Sequence, residues 1–217
     1  MRTHTRESQQ SLTPAEALQY LKEGNARFCA NLKANRNLLQ QVNETRDGQF
    51  PFAAILSCID SRTSAELVFD QGLGDIFSIR IAGNFVNDDI LGSLEFACKA
   101  AGSKLIMVLG HSACGAIKGA CDHVQLGHLT SMLSKIRPAV ELVRDPQDAA
   151  LRTSKNKTFV QAVAEMNVAL AVQQIKQRSA ILREMLDAGQ IGLVGGMYDL
   201  TSGQVDFQDS PELILAR

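Results

Sequence analysis

An α/β fold, with a mostly parallel central sheet flanked by helices and an N-terminal helical arm, is the class this sequence predicts. Three observations predict it. Short runs that are apolar at every position, Ala53-Ala54-Ile55-Leu56 and Leu105-Ile106-Met107-Val108-Leu109, read as strands buried on both faces. Stretches with helical periodicity separate such runs, so the strands pair in parallel through crossover helices. Both runs also lead into chemically active residues, Cys58-Ile59-Asp60-Ser61-Arg62 after the first and Gly110-His111 after the second. In open parallel sheets, ligands sit outside the carboxyl ends of strands.

The elements follow in chain order. Thr13 and Glu16 have the spacing of a capping box, with Pro14 at the first helical position, so a helix begins near Pro14. Ala17, Leu18, Leu21 and Phe28 give that helix one apolar stripe. It precedes the core pattern, so residues 1–35 read as a helical arm, suited to another subunit or to its own domain. Residues 36–217 read as the α/β domain proper. Residues 53–57 (AAILS) form the first strand, and 64–69 (SAELVF) a short helix stopped before Gly72 and Gly74. A second strand covers 76–81 (IFSIRI), its apolar run interrupted by Arg80, and a helix over 88–101 is closed by Gly102. Residues 104–109 (KLIMVL) are the clearest strand. Helices follow at 114–122, 129–143 and 157–187, with the polar stretch 144–157 a loop between helices. Residues 191–198 (IGLVGGMY) make a last core strand. Val205-Asp206-Phe207 is its hairpin partner across Thr201-Ser202-Gly203.

With 217 residues the chain can bury a sizeable core. A net charge of −1, with basic residues scattered, argues against nucleic acid or an acidic membrane as partner. No apolar stretch approaches the ~20 residues that span a bilayer. The opening MRTHTRESQQSLT lacks the apolar region of a secretory signal. Five cysteines, an odd number spread through the chain, do not resemble a disulfide framework. The expectation is a reducing, cytoplasmic setting in which thiols are free or bind metal.

The stretch SCIDSR, Ser57 to Arg62, sets a thiol, a carboxylate and a guanidinium at alternating positions. On an extended strand end that alternation aims all three to one side. The other strand end continues as GHSACG, where His111 and Cys114 can converge across a strand-to-helix turn, with Cys58 supplied by a neighbouring strand. Two thiolates and an imidazole suit Zn²⁺, and three protein ligands leave the fourth position open, as in catalytic sites. Each residue alone has a plainer role, since buried cysteines often only pack. Together, beside an Asp60 and an Arg62 that can pair with each other, they favour zinc. Cys29 and Cys98 read as small apolar residues of helices. Cys121 with His123 lacks a third ligand, His4 reads as disordered and His128 as a loop residue.

CIDSR, followed about fifty residues later by GHSACGAIKG, resembles the β-class carbonic anhydrases, in particular their plant-type-like subgroup. The signature of the class is Cys-x-Asp-Ser-Arg and then His-x-x-Cys-Gly. The resemblance is close from Gln49 to Lys118 and looser from the N-terminal helix to Tyr198. It implies that Cys58, His111 and Cys114 bind Zn²⁺ within a catalytic domain over 36–217, and that Asp60 and Arg62 form a catalytic dyad. The implied reaction is reversible hydration of carbon dioxide to bicarbonate and a proton by a zinc-bound hydroxide. Asp60 orients that hydroxide while Arg62 keeps Asp60 off the metal. Gln49, nine residues before Cys58, stands at a substrate-pocket position, as does Phe77. Phe96 stands where many members have Tyr. The family's cleft lies between subunits, which implies a homodimer or higher homo-oligomer.

Two other readings stay open on the motifs. Relatives that resemble this family hydrolyse carbonyl sulfide or carbon disulfide, which are also apolar, linear substrates. A non-enzymatic zinc–thiolate module is the third, and it would need a fourth protein ligand that an intact Asp60–Arg62 pair withholds. Two departures from the family pattern matter. Some bacterial members shut the site when bicarbonate binds a pocket of Trp, Arg and Tyr. Arg80 and Tyr198 match that pocket here, but Ile55 stands at the Trp position. The expectation is therefore an open site with Asp60 paired to Arg62. The second departure is Ala116, where many members carry glycine.

Overall fold

A computed structural model describes residues 3–208. Every residue of β1 (Ala53–Ser57) and β3 (Leu105–His111) is buried, as befits strands covered on both faces. β2 (Ile76–Arg80) and β4 (Gly192–Tyr198) lie parallel to them, and β5 (Val205–Gln208) pairs antiparallel with β4. The strand order is β2-β1-β3-β4-β5.

Alternate residues of the central strands feed two cores. Ala53, Ile55, Leu105, Met107 and Leu109 pack with α2 (Pro14–Cys29) and α4 (Ala65–Val68), through Ala17, Leu21, Ala65 and Val68. Ala54, Leu56, Cys58, Ile106 and Val108 face the larger core. That core is completed by α5 (Asp88–Glu95), α6 (Gly115–Cys121), α7 (Gly127–Ser134), α8 (Arg137–Leu142), α9 (Lys157–Arg178) and α10 (Ala180–Asp187). The period-2 split of strand residues between two helical layers is what a two-sided parallel sheet requires.

The fold is the α/β class expected, with differences at element ends. α1 (Arg6–Ser11) and α3 (Leu38–Thr45) were not expected from the pattern. They bury only Gln9 and Gln41 respectively, the Leu38, Leu39 and Val42 side chains of α3 lying exposed, and side-chain caps from Thr5 and Asn37 start them. The helix expected over 129–143 is two helices. Pro138 sits in the first turn of α8, where its missing N–H and its ring cannot continue a preceding helix. The helix expected over 157–187 divides at Ser179, which is extended (φ −103°, ψ 109°). Its hydroxyl caps the Leu182 N–H and donates to Glu95 at 2.6 Å. The helix expected over 88–101 ends in a π-helical turn, Phe96–Ala100. β3 runs two residues past its expected end, to His111.

Two histidines also differ from expectation. His4 is ordered against Phe52, with ring centroids 5.3 Å apart, and burial lowers its pKa. His128 lies in the first turn of α7 rather than in a loop. No helix among the described residues is long and apolar enough to cross a membrane.

Candidate metal centre

β1 and β3 are neighbours, yet the chain leaves them in opposite directions. From β1 it passes through α4 to β2, and from β3 through α6–α9 and α10 to β4. A crevice at such a switch point is where open parallel sheets take ligands. Cys58 follows the last residue of β1, His111 is the last residue of β3, and Cys114 directly precedes α6. The sequence thus delivers three donors to one point from two strand ends and one helix start.

The sulfurs of Cys58 and Cys114 are 3.9 Å apart, and all three donor atoms lie within 4.8 Å of one another. Two sulfurs at roughly 2.3 Å from one tetrahedral metal stand about 3.8 Å apart, so the spacing fits. His111 supplies the stronger indication. Its Nδ1 is 2.9 Å from the Ser112 carbonyl oxygen, which only an Nδ1–H can satisfy as a donor. In the neutral ring Nε2 then carries the lone pair, and it is buried beside the Cys58 and Cys114 sulfurs with no nitrogen or oxygen partner. A fully buried nitrogen lone pair beside two sulfurs is costly unless an electrophile takes it. The cluster can hold a metal ion.

Asp60 and Arg62 meet, but not through strand alternation. β1 ends at Ser57, and residues 60–63 form a turn closed by Thr63 N–H donating to the Asp60 carbonyl at 3.0 Å. The Asp60 carboxylate accepts the Arg62 backbone N–H at 3.0 Å, the two-residue reach of an Asx turn. The Arg62 guanidinium then donates Nε to Oδ1 at 2.9 Å and Nη2 to Oδ2 at 2.7 Å. This bidentate pair holds the Asp60 carboxyl well below the usual carboxylate range, chiefly through the Arg62 side-chain bonds. Oδ2 remains 4.0 Å from His111 Nε2, so the carboxylate faces the donor cluster without entering it.

The two thiols shift in opposite directions. The Cys114 hydrogen bond, with His111 and the Gly83 N–H at 3.3 Å, draws the Cys58 pKa down against the opposing effect of burial. Cys58 and burial push Cys114 up, while the N–H groups of Ile117 and Ala116 pull the other way. A bound cation would favour the thiolate of both.

Comparison with known proteins agrees with this geometry. A profile of the family described as carbonic anhydrase matches residues 53–205, which include every residue of the cluster. The chain is 35% identical over 197 residues to a carbonic anhydrase of Mycolicibacterium smegmatis, covering 90% of this chain and 93% of the relative. The chain belongs to the β-class carbonic anhydrases. This is a family of enzymes, the carbonate dehydratases. Among solved structures, the β-carbonic anhydrase CafA of Aspergillus fumigatus superposes with a TM-score of 0.69 at 26% identity, covering 93% of this chain and 94% of that one. The β-carbonic anhydrase CcaA superposes with a TM-score of 0.70 at 26% identity, covering 90% and 93%.

The residues expected at the pocket walls of this carbonic anhydrase fall apart from the cluster within one chain. Gln49 is exposed in the coil before β1. Phe77, which pairs with Ala54 far down the sheet from Cys58, is half-buried and meets Phe96 edge-on at 6.2 Å. Those two rings line an open cavity of about 620 Å³ beside β2 and α5. Other residues near the cluster had little sequence signal. Arg80 donates Nε to the Cys58 carbonyl at 2.9 Å and Nη2 to the Asp60 carbonyl at 2.7 Å, and Thr63 donates to both carbonyls. Arg80 was visible as a charge in an apolar run. Thr63 was visible only as the residue after the motif, since what both recognise is backbone.

Proposed function

We propose that the chain is a zinc enzyme catalysing the reversible hydration of carbon dioxide to bicarbonate and a proton. One observation carries the reading: Asp60 is tied to Arg62 by two side-chain bonds beside a cluster of three donors, with no fourth protein donor joining that cluster among the described residues. Two cysteines and a histidine are a donor set suited to Zn²⁺, and three protein ligands with one open position are the pattern of catalytic zinc. When bound, zinc would supply a Lewis acid that acidifies water.

The chain's own residues then divide the work. Cys58, His111 and Cys114 are the ligands, and the Ser112 carbonyl fixes the His111 tautomer. Asp60, ionised and aimed at the cluster, accepts a hydrogen bond from the reacting water and so directs its lone pair at the substrate carbon. Arg62 keeps Asp60 in that role. As a hard oxygen ligand released from its partner, Asp60 would compete for the open position.

Gln49, Phe77 and Phe96 complete the pocket from a neighbouring copy in a homo-oligomer. This part of the reading is supported by their separation from the cluster in one chain and by the 58% exposure of Phe96. Five free thiols fit a cytoplasmic setting. Stopped-flow hydration across pH, with zinc content measured on the same sample, tests the function. Stoichiometric zinc with no hydration at alkaline pH would remove it, and faster turnover of carbonyl sulfide or carbon disulfide would reassign the substrate.

A further inference from the structure

We propose that Asn167 is a positioning residue of the metal centre, acting through Gly83 on the Cys58 sulfur. The proposal rests on the reading of Cys58, His111 and Cys114 as metal ligands. Along its middle, α9 buries Val163, Ala164, Met166, Val168 and Ala169, as a helix packed on a sheet should. Asn167 interrupts that apolar stretch and is only 3% exposed. Packing alone would be served better by an aliphatic side chain, since a buried amide is costly unless it is bonded. Asn167 Nδ2 donates to the Gly83 carbonyl at 2.8 Å.

Gly83 is where that bond reaches the metal centre. Its N–H donates to Cys58 Sγ at 3.3 Å. It does so from a left-handed conformation (φ +79°) in the turn closed by Asn84 N–H on the Ile81 carbonyl at 2.9 Å. The left-handed φ favours glycine, and a Cβ there would stand 2.4 Å from Ile136 Cδ1. Glycine, however, leaves the turn free to rotate its N–H away from the sulfur. The Asn167 bond and the Asn84 N–H on Ile81 both fix the peptide that follows Gly83, and so hold the turn in the conformation in which the Gly83 N–H meets Cys58.

The helix that carries Asn167 is itself fixed against the other half of the centre. A Cβ on Gly110 would stand 2.5 Å from Val168 Cγ2, and one on Gly195 would stand 2.8 Å from Val168 Cγ1. Val168 therefore sits directly on β3 one residue before His111, and on β4 beside it. One stretch of α9 meets the strand end of His111 and the turn that supports Cys58. Groups that hold metal ligands in place typically change metal affinity about 10–100-fold when removed.

The test uses the full-length protein loaded with zinc or with cobalt. Asn167→Leu removes both polar ends at similar size, and Asn167→Asp keeps the shape and removes the donor. Ile175→Ala, fully buried about two turns along the same helix, provides a structural loss unconnected with the centre. Both Asn167 variants are expected to bind zinc about 10–100-fold more weakly in chelator competition and to shift the cobalt–thiolate charge-transfer band. Ile175→Ala is expected to lower the thermal midpoint while keeping wild-type affinity and spectrum. Wild-type affinity and spectrum in both Asn167 variants would overturn the proposal and leave the metal-centre reading intact. Wild-type protein that takes up neither metal would overturn both. Should neither Asn167 variant fold, wild-type protein loaded with NMR-active cadmium decides. Scalar coupling from the metal to the Gly83 amide proton, together with through-hydrogen-bond coupling from Asn167 Nδ2 to the Gly83 carbonyl carbon, supports the link, and the absence of either overturns it.

Discussion

Arg62 holds the choice between two roles that Asp60 could take. Paired, the carboxylate faces the donor cluster with Oδ2 4.0 Å from His111 Nε2; on the proposed reading, releasing it would let it compete for the metal's fourth position. The side chain of Arg62 is 58% exposed, so the pair's contribution to stability is small and its value is geometric. Arg62→Ala should therefore fold normally and retain zinc, while hydration falls on the order of 100-fold, the usual cost of losing one oriented group at a reacting centre. Zinc analysis, a thermal melt and stopped-flow hydration on one preparation check this. Full activity with Asp60 unpaired would contradict the gating argument. At this scale the sequence made legible the meeting of Cys58, His111 and Cys114 and the pairing of Asp60 with Arg62, because their spacing is fixed by two strand ends. The hydrogen bonds of Gly83, Thr63 and Arg80 to Cys58 or Asp60, and of Asn167 to Gly83, were not legible. These residues give or receive backbone hydrogen bonds, and the pattern of side-chain types carries no record of which carbonyl a turn presents. The route by which Asp60 reaches Arg62 was also misjudged for that reason, since an Asx turn and a pleated strand both bring residues two apart together.

Buried ionic staples join elements that the hydrophobic pattern leaves loosely placed. Asp70, at the end of the α4 region, accepts Arg27 Nε of α2 at 2.6 Å, Arg36 Nη1 at 2.6 Å and the Ala34 N–H at 3.1 Å. Burial opposes the Asp70 charge, but the bonds from Arg27, Ala34 and Arg36 outweigh it and hold its pKa below the ordinary value. A carboxyl whose folded pKa is depressed adds stability above its unfolded pKa, about 4, and loses it as pH falls through the folded value. Asp70→Asn should cost about 3 kcal/mol at neutral pH, since it removes the carboxylate charge that the Arg27 and Arg36 guanidinium groups meet. Urea titrations should show the difference from wild type constant above roughly pH 5 and shrinking in acid. A difference that grew on acidification would reverse the sign and refute the account. Arg152 does similar work in the loop after α8. It donates to the carbonyls of Val140, Val143 and Pro146 and lies 4.7 Å over the Phe159 ring. Arg152→Lys keeps the charge and loses the fork, so it should cost about 1.5–3 kcal/mol in urea unfolding without changing zinc content. Element type and order were legible wherever burial drives the pattern, as in β1, β3 and α9. Breaks were not, because Pro138 and Ser179 act through caps and a missing donor while the apolar periodicity runs on across them. α1 and α3 were missed for the opposite reason, having caps but almost nothing to bury.

The whole molecule presents an edge that one copy leaves unfinished. β2 ends the sheet opposite β5, and its outer side is bordered by α5 and the π-helical turn. Phe96 there is 58% exposed with Phe77 beneath it, while Ile59 and Leu67, near the metal centre and on α4, are 61% and 59% exposed. Single exposed apolar residues are ordinary, but a large aromatic over an open cavity floored by Phe77 and Ile79 and rimmed by Asp88 and Asp89 is the kind of feature from which an interface is built. If a second copy covers this edge, Phe96 becomes a buried anchor, and aromatic anchors at interface centres commonly carry 2 kcal/mol or more, roughly 30-fold in dissociation. Phe96→Glu should therefore leave the monomer's thermal midpoint nearly unchanged, because the side chain is mostly exposed in one chain. It should raise the oligomer's dissociation constant at least about 30-fold in analytical ultracentrifugation. Because Gln49, Phe77 and Phe96 would wall the pocket of the neighbouring copy, hydration per zinc should fall as the variant is diluted, whereas a site complete in one chain would keep its rate. The two measurements separate the claims: a monomeric wild type removes the interface, and a dissociated but fully active variant removes the shared pocket alone.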